Sequence, residues 1–126
     1  MKTARLIILI GGIVQILTAC LHGVGFAFLA KRIETEHIGA ETAAILKTCW
    51  LAFSVELIAL AIVAILARSM ERGAGIVIFC AFVVAVNGAL MLAFLGPFIG
   101  FWMVAVDALL LGLGGYLQLK ASRAAA

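Results

Sequence analysis

Apolar and polar positions in this chain alternate on the scale of whole helices rather than single turns. Leu6 to Ala30 is an apolar run of 25 residues without a formal charge. As a helix it is long enough to cross a hydrocarbon core of about 30 Å. Three more runs follow, at Thr48 to Ala67, Gly75 to Leu95 and Phe98 to Leu119. Polar sequence is confined to the connections. Lys31 to Lys47 is the long one, Arg68 to Ala74 is a tight charged turn, and Gly96-Pro97 reverses the chain almost at once. A strand alone in lipid would leave its backbone polar groups unpaired, so each run is expected to be a helix. The pattern predicts an all-α integral membrane protein, residues 1–126 forming a single domain of four transmembrane helices in an up-down bundle.

Composition strengthens this reading. The chain is 67% hydrophobic and 12% charged, with a mean hydropathy of +1.30. A soluble domain has about half apolar and about a quarter charged residues, so this chain cannot cover itself with polar surface. The net charge of +3 does not point to nucleic acid. Its basic residues sit only at the ends of apolar runs, with no basic and aromatic surface for phosphates or bases. They report topology instead. With the N-terminus inside, Lys2, Arg5, Arg68, Arg72, Lys120 and Arg123 are cytoplasmic, while Lys31, Arg32 and Lys47 are outside. This bias predicts both termini on the cytoplasmic side.

Leu17-Thr18-Ala19-Cys20 is similar to the lipidation site of a bacterial lipoprotein signal. However, the apolar run continues ten residues past Cys20, where a cleaved signal gives way to polar sequence, so the run reads as a span. Cys20, Cys49 and Cys80 fall one to a span and form no CxxC pair. They suggest neither a disulfide framework nor a thiolate metal site, and read as small apolar residues.

The candidate chemistry is a set of polar residues inside the spans. His22, Glu56, Asn87 and Asp107 lie eight to nine residues from the same end of their runs, roughly 12–14 Å deep at 1.5 Å per residue. Each belongs to a helical stripe of small or polar positions: Gly11, Gln15, Thr18 and His22; Ala52, Glu56 and Ala59; Cys80, Val84, Asn87 and Met91; Gly100, Met103, Asp107 and Gly114. The stripes are expected to face one another across the bundle core, because small residues allow close approach and polar ones avoid lipid. A carboxylate at the bilayer centre costs on the order of 3 kcal/mol. Glu56 and Asp107 are therefore expected to share protons or pair with His22, with at least one carboxyl uncharged near pH 7. Asn87 can donate to a carboxylate or accept from an acid.

Several functions are compatible with such a layer of Gln15, His22, Glu56, Asn87 and Asp107. The leading expectation is a non-enzymatic binding or assembly module whose layer takes a partner helix or a lipophilic small molecule, in a homo-oligomer or a larger membrane complex. Proton-linked transport through an oligomer is the alternative, and a small isomerase using His22, Glu56 and Asp107 as acid and base is the third. No cofactor or metal is expected. A single intramembrane histidine is a poor haem ligand set, and a catalytic metal would want a second histidine beside the acids. In the long connection, Glu34, Glu36 and His37 lack a recognised ligand spacing and read as a solvated face. Ile38 to Leu46 predicts a helical lead-in to the second span, and Trp50, Trp102 and Tyr116 read as interfacial anchors.

Leu17-Thr-Ala-Cys-Leu-His22, with Cys49-Trp50 and Ser54, resembles a group of small bacterial four-span membrane proteins without an assigned activity. The likeness covers mainly the first half of the chain and implies a bacterial inner-membrane protein of this architecture. Membrane sterol isomerases of the emopamil-binding type are similar only in enclosing His, Glu and Asn within a bundle, and no motif carries a residue over. Small multidrug-resistance exporters are similar in size and span number. They place their essential glutamate in the first span, where this chain has His22.

Overall fold

The computed structural model describes residues 2–124, and within them every regular element is a helix. These are α1 (Lys2–Thr35), α2 (Ala40–Ala67), α3 (Gly73–Leu95) and α4 (Ile99–Arg123). All four are long and apolar enough to cross a membrane. The helices run past the apolar runs wherever flanking residues also favour helix. At 34 residues, α1 is about 51 Å long, well beyond a hydrocarbon core of about 30 Å. The lead-in to α2 is helical from Ala40.

The connections end the helices by ordinary capping chemistry. At the close of α1, His37 takes a left-handed conformation (φ 51°), and the Ile38 N–H donates to the Ile33 carbonyl at 3.2 Å. This closes the last turn and satisfies a carbonyl that the helix leaves free. Gly96 ends α3 in another way, at φ 77° and ψ −175°, a conformation that favours glycine, while its N–H makes the last helical bond to the Leu92 carbonyl at 3.1 Å. Gly96 is thus a turn residue, and Pro97 follows where no helical N–H is required.

Packing places small residues in the centre and large ones outside. The buried apolar set is rich in alanine, including Ala19, Ala61, Ala64, Ala67, Ala74 and Ala81. Phe28, Phe79, Phe82, Phe94, Ile99 and Leu109 are among the exposed side chains. Water would reverse this arrangement, but lipid does not, because it solvates leucine and phenylalanine while close backbone approach needs small residues. At Gly114 a Cβ would lie 2.6 Å from Ile8 Cγ1 and 3.1 Å from the Ile8 backbone nitrogen, so α1 and α4 meet almost backbone to backbone. Helix α1 packs on α2 and α4, and α3 packs closely on α4. The α2–α3 seam is the loosest of these contacts.

The two ends of the bundle differ. Near the termini, Ile8, Ala64, Ala67, Val77, Cys80, Ala81 and Leu111 form a tight core. Gln118 closes this end, its amide donating to the Arg68 and Met70 carbonyls at 3.3 and 3.4 Å. Toward the end remote from the termini, bulky Trp50, Phe53, Met91 and Phe98 replace alanine at the facing positions, and space opens between the helices.

Candidate functional site

The polar residues singled out in the sequence do not form one layer. They divide into three separate arrangements, because the helices are rotated differently from the expected stripes. Gly11, Gln15 and Thr18 on α1, Cys80 and Val84 on α3, and Asp107 and Gly114 on α4 are buried as expected. On α2 the expectation fails. Ala52 and Ala59 are exposed, and Ser54, Leu57, Ala61 and Ala64 face inward instead. Glu56, one position before Leu57, is therefore turned about 100° away from the core centre.

His22 forms the first arrangement, together with three residues of α2. Its Nδ1 lies 2.8 Å from Ser54 Oγ. Its ring stacks on the Trp50 indole, with centroids 4.1 Å apart and planes 15° apart, and Phe53 meets it edge-on at 5.0 Å. The Trp50 Nε1–H donates to the His22 backbone carbonyl at 2.8 Å. Trp50 was expected to anchor the chain at the membrane interface, yet its polar atom is used inside the bundle. Trp50, Phe53 and Ser54 are spaced by three and four residues, so one α2 face presents all three toward α1. That spacing was visible in the sequence; what it faces was not.

These residues wall a cavity of about 190 Å³ to which all four helices contribute. Thr18, His22 and Gly25 line it from α1, Trp50 and Phe53 from α2, Met91 from α3, and Gly100, Met103 and Val104 from α4. A second, more open space of about 370 Å³ shares His22, Trp50, Phe53 and Met91, and reaches Cys49 and Leu95 at the α2–α3 seam. The lining is almost wholly apolar, and His22 is the titratable side chain common to both spaces.

Glu56 and Asn87 form the second arrangement. The Asn87 Nδ2–H donates to Glu56 Oε1 at 3.0 Å across the loose α2–α3 seam, where both residues are half-buried. They lie about one turn from Phe53 and Met91, where the larger space opens. Gln15 and Asp107 form the third, in the α1–α4 interface. Both are fully buried. Gln15 donates from Nε2 to the Leu57 carbonyl at 3.0 Å. Its Oε1 and both Asp107 carboxyl oxygens have no hydrogen-bond partner among the described residues. The Thr18 hydroxyl is committed to the Val14 carbonyl at 3.0 Å.

Among the described residues, then, neither Glu56 nor Asp107 hydrogen-bonds to His22 or to the other acid. The expected proton-sharing cluster is replaced by one histidine site, one acid–amide pair and one isolated acid. No group of three or more His, Cys, Asp or Glu is arranged to hold a metal ion among the described residues. In the long connection, Glu36 pairs with Arg32 at 2.7 Å on the surface and His37 serves as the left-handed cap. Comparison with family models, with curated proteins and with solved structures yields no match.

Proposed function

We propose that this chain is a non-enzymatic membrane module that binds a lipophilic small molecule in the cavity walled by His22, Trp50 and Phe53. The observation that carries this reading is the cavity itself: about 190 Å³, lined from every helix and almost wholly apolar, with Thr18, His22 and Trp50 as the side chains that carry polar atoms. Small-molecule sites have this character, mostly apolar walls with a few placed polar groups. A dry cavity of about 150 Å³ is enough for a benzene-sized guest. The larger neighbouring space at the α2–α3 seam offers a route from lipid.

The module is set in a bacterial inner membrane as an up-down bundle with both termini cytoplasmic. The charge bias of the connections supports this orientation. In that frame the cavity lies toward the outer leaflet.

A second reading has its own observation. The Glu56–Asn87 pair lies half-buried on the loosest helix seam, and polar groups at such a depth favour a protein neighbour over lipid. Assembly of copies through this seam accounts for it, and leaves the cavity free to bind.

Native mass spectrometry of protein extracted gently with its own lipids tests the binding reading. The unmodified chain should carry a small-molecule adduct. Val104→Phe, which places a ring in the cavity, should lose that adduct while keeping its helical content. An adduct that survives Val104→Phe, or none on the unmodified chain, would sink the cavity reading.

A further inference from the structure

The contacts of His22 restrict the chemistry of the molecule that the cavity holds. Ser54 has one hydroxyl proton and two neighbours, His22 Nδ1 at 2.8 Å and the Trp50 carbonyl at 3.3 Å. A carbonyl only accepts, whereas an imidazole nitrogen donates or accepts according to tautomer. One assignment makes both contacts hydrogen bonds: Ser54 O–H donates to the Trp50 carbonyl, and His22 Nδ1–H donates to Ser54 Oγ. The opposite tautomer uses the only hydroxyl proton on Nδ1 and leaves the Trp50 contact without a hydrogen.

A neutral imidazole with its hydrogen on Nδ1 carries a lone pair on Nε2. Among the described residues no acid pairs with the ring, so no countercharge offsets the cost of a charged imidazolium at this depth. Nε2 makes no hydrogen bond to the described residues, and the ring lines the cavity. Stacking on Trp50 and the edge contact with Phe53 hold the ring in one plane. The Thr18 hydroxyl hydrogen is committed to the Val14 carbonyl, so His22 Nε2 offers a guest a fixed basic acceptor in apolar surroundings, with no competing donor from Thr18.

We infer that the cavity's ligand is a lipophilic alcohol, its apolar body packed against Trp50 and Phe53 and its hydroxyl donating to His22 Nε2. This rests on the lipophilic-ligand reading of the same cavity. A guest with only acceptor oxygens, such as an ether or ester, would set lone pair against lone pair and leave Nε2 unpaired. A buried acceptor left without its donor is costly, which is how one hydrogen bond discriminates between ligands of equal size.

The test uses the full chain in detergent with 2-naphthol and 2-methoxynaphthalene, which share a ring system but differ in the ability to donate. In a native mass spectrometry titration, 2-naphthol should bind about five- to tenfold more tightly, the worth of one net hydrogen bond. In His22→Phe, which keeps an aromatic ring but has no acceptor, that preference should vanish while 2-methoxynaphthalene binding persists. Nitrogen-15 spectra of the unmodified chain, with His37→Gln to assign the signals, should place the hydrogen on Nδ1 of His22. Equal affinity for the two probes would overturn the alcohol inference and leave the cavity reading standing. Failure of both probes to bind would overturn both. A hydrogen found on Nε2 would overturn the inference even if His22→Phe did not fold.

Discussion

At the scale of single residues, the acids differ in what surrounds them rather than in how deep they lie. Glu56 has an amide donor in Asn87, whereas Asp107 is fully buried with both oxygens unpartnered. Facing contacts fix the α1–α4 register: Gly11 lies against Leu110 and Leu111, and Gly114 against Ile8. One turn on from Gly11, Gln15 comes level with Asp107. Two buried residues thus present unpaired acceptor oxygens to one interface. Asp107→Asn brings amide hydrogens to that level and removes an acid, so it should stabilise the protein by about 1 kcal/mol. Gln15→Ala removes the bond to the Leu57 carbonyl and leaves a void, and should cost about 2 kcal/mol. Thermal unfolding of the detergent-solubilised variants measures both. A marked loss of stability in Asp107→Asn would mean that the carboxyl has a partner that the asparagine amide cannot replace.

At the scale of elements, the differences between interfaces follow from side-chain size. Helix α4 approaches α1 closely because Gly114 has no side chain, and a Cβ there would press on the Ile8 backbone. Backbone cannot yield as a side-chain tip can, so Gly114→Ala should destabilise by about 1–3 kcal/mol. Two residues away, a Cβ on Gly112 would meet the nearest atom, Ala81 Cβ, at an ordinary 3.8 Å. Gly112→Ala should therefore be neutral or stabilising by up to about 1 kcal/mol through helix propensity. Denaturation of the two variants side by side provides the comparison, and equal effects would argue against the close α1–α4 approach. The more open end has the opposite cause, since Trp50 and Phe53 of α2 and Phe98, just before α4, fill the facing positions with aromatic rings around the cavity.

At the scale of the whole molecule, the α2–α3 seam is where assembly is testable. Glu56→Gln retains an oxygen for the Asn87 amide, whereas Glu56→Leu removes the polar pair. If copies associate through this seam, Glu56→Leu should shift the detergent-extracted protein toward monomer while Glu56→Gln leaves its size unchanged. Light scattering coupled to size-exclusion chromatography reports the mass. A species of the same mass in both variants, equal to that of the unmodified chain, would remove the seam from consideration. The candidate site was partly legible at this scale. His22, Gln15, Asn87 and Asp107 stood out as polar groups in apolar runs, and three of the four stripes turn inward as their spacing suggests. Ser54 and Trp50 were less legible, because serine is common in membrane helices and tryptophan near a span end looks like an anchor.

Four apolar helices and their connections follow from local sequence. Span length, absence of charge and turn residues such as Gly96-Pro97 are local properties, and a backbone in lipid must satisfy its own hydrogen bonds. How each helix is rotated and which polar groups meet depend on the contacts between helices. In water an apolar stripe would have announced the buried face, but in a bilayer the outward face is as apolar as the inward one. Glu56 could therefore be assigned to the core in sequence and lie at a seam in the fold. By the same logic, His22 found its partners in Ser54 and Trp50 rather than in the acids.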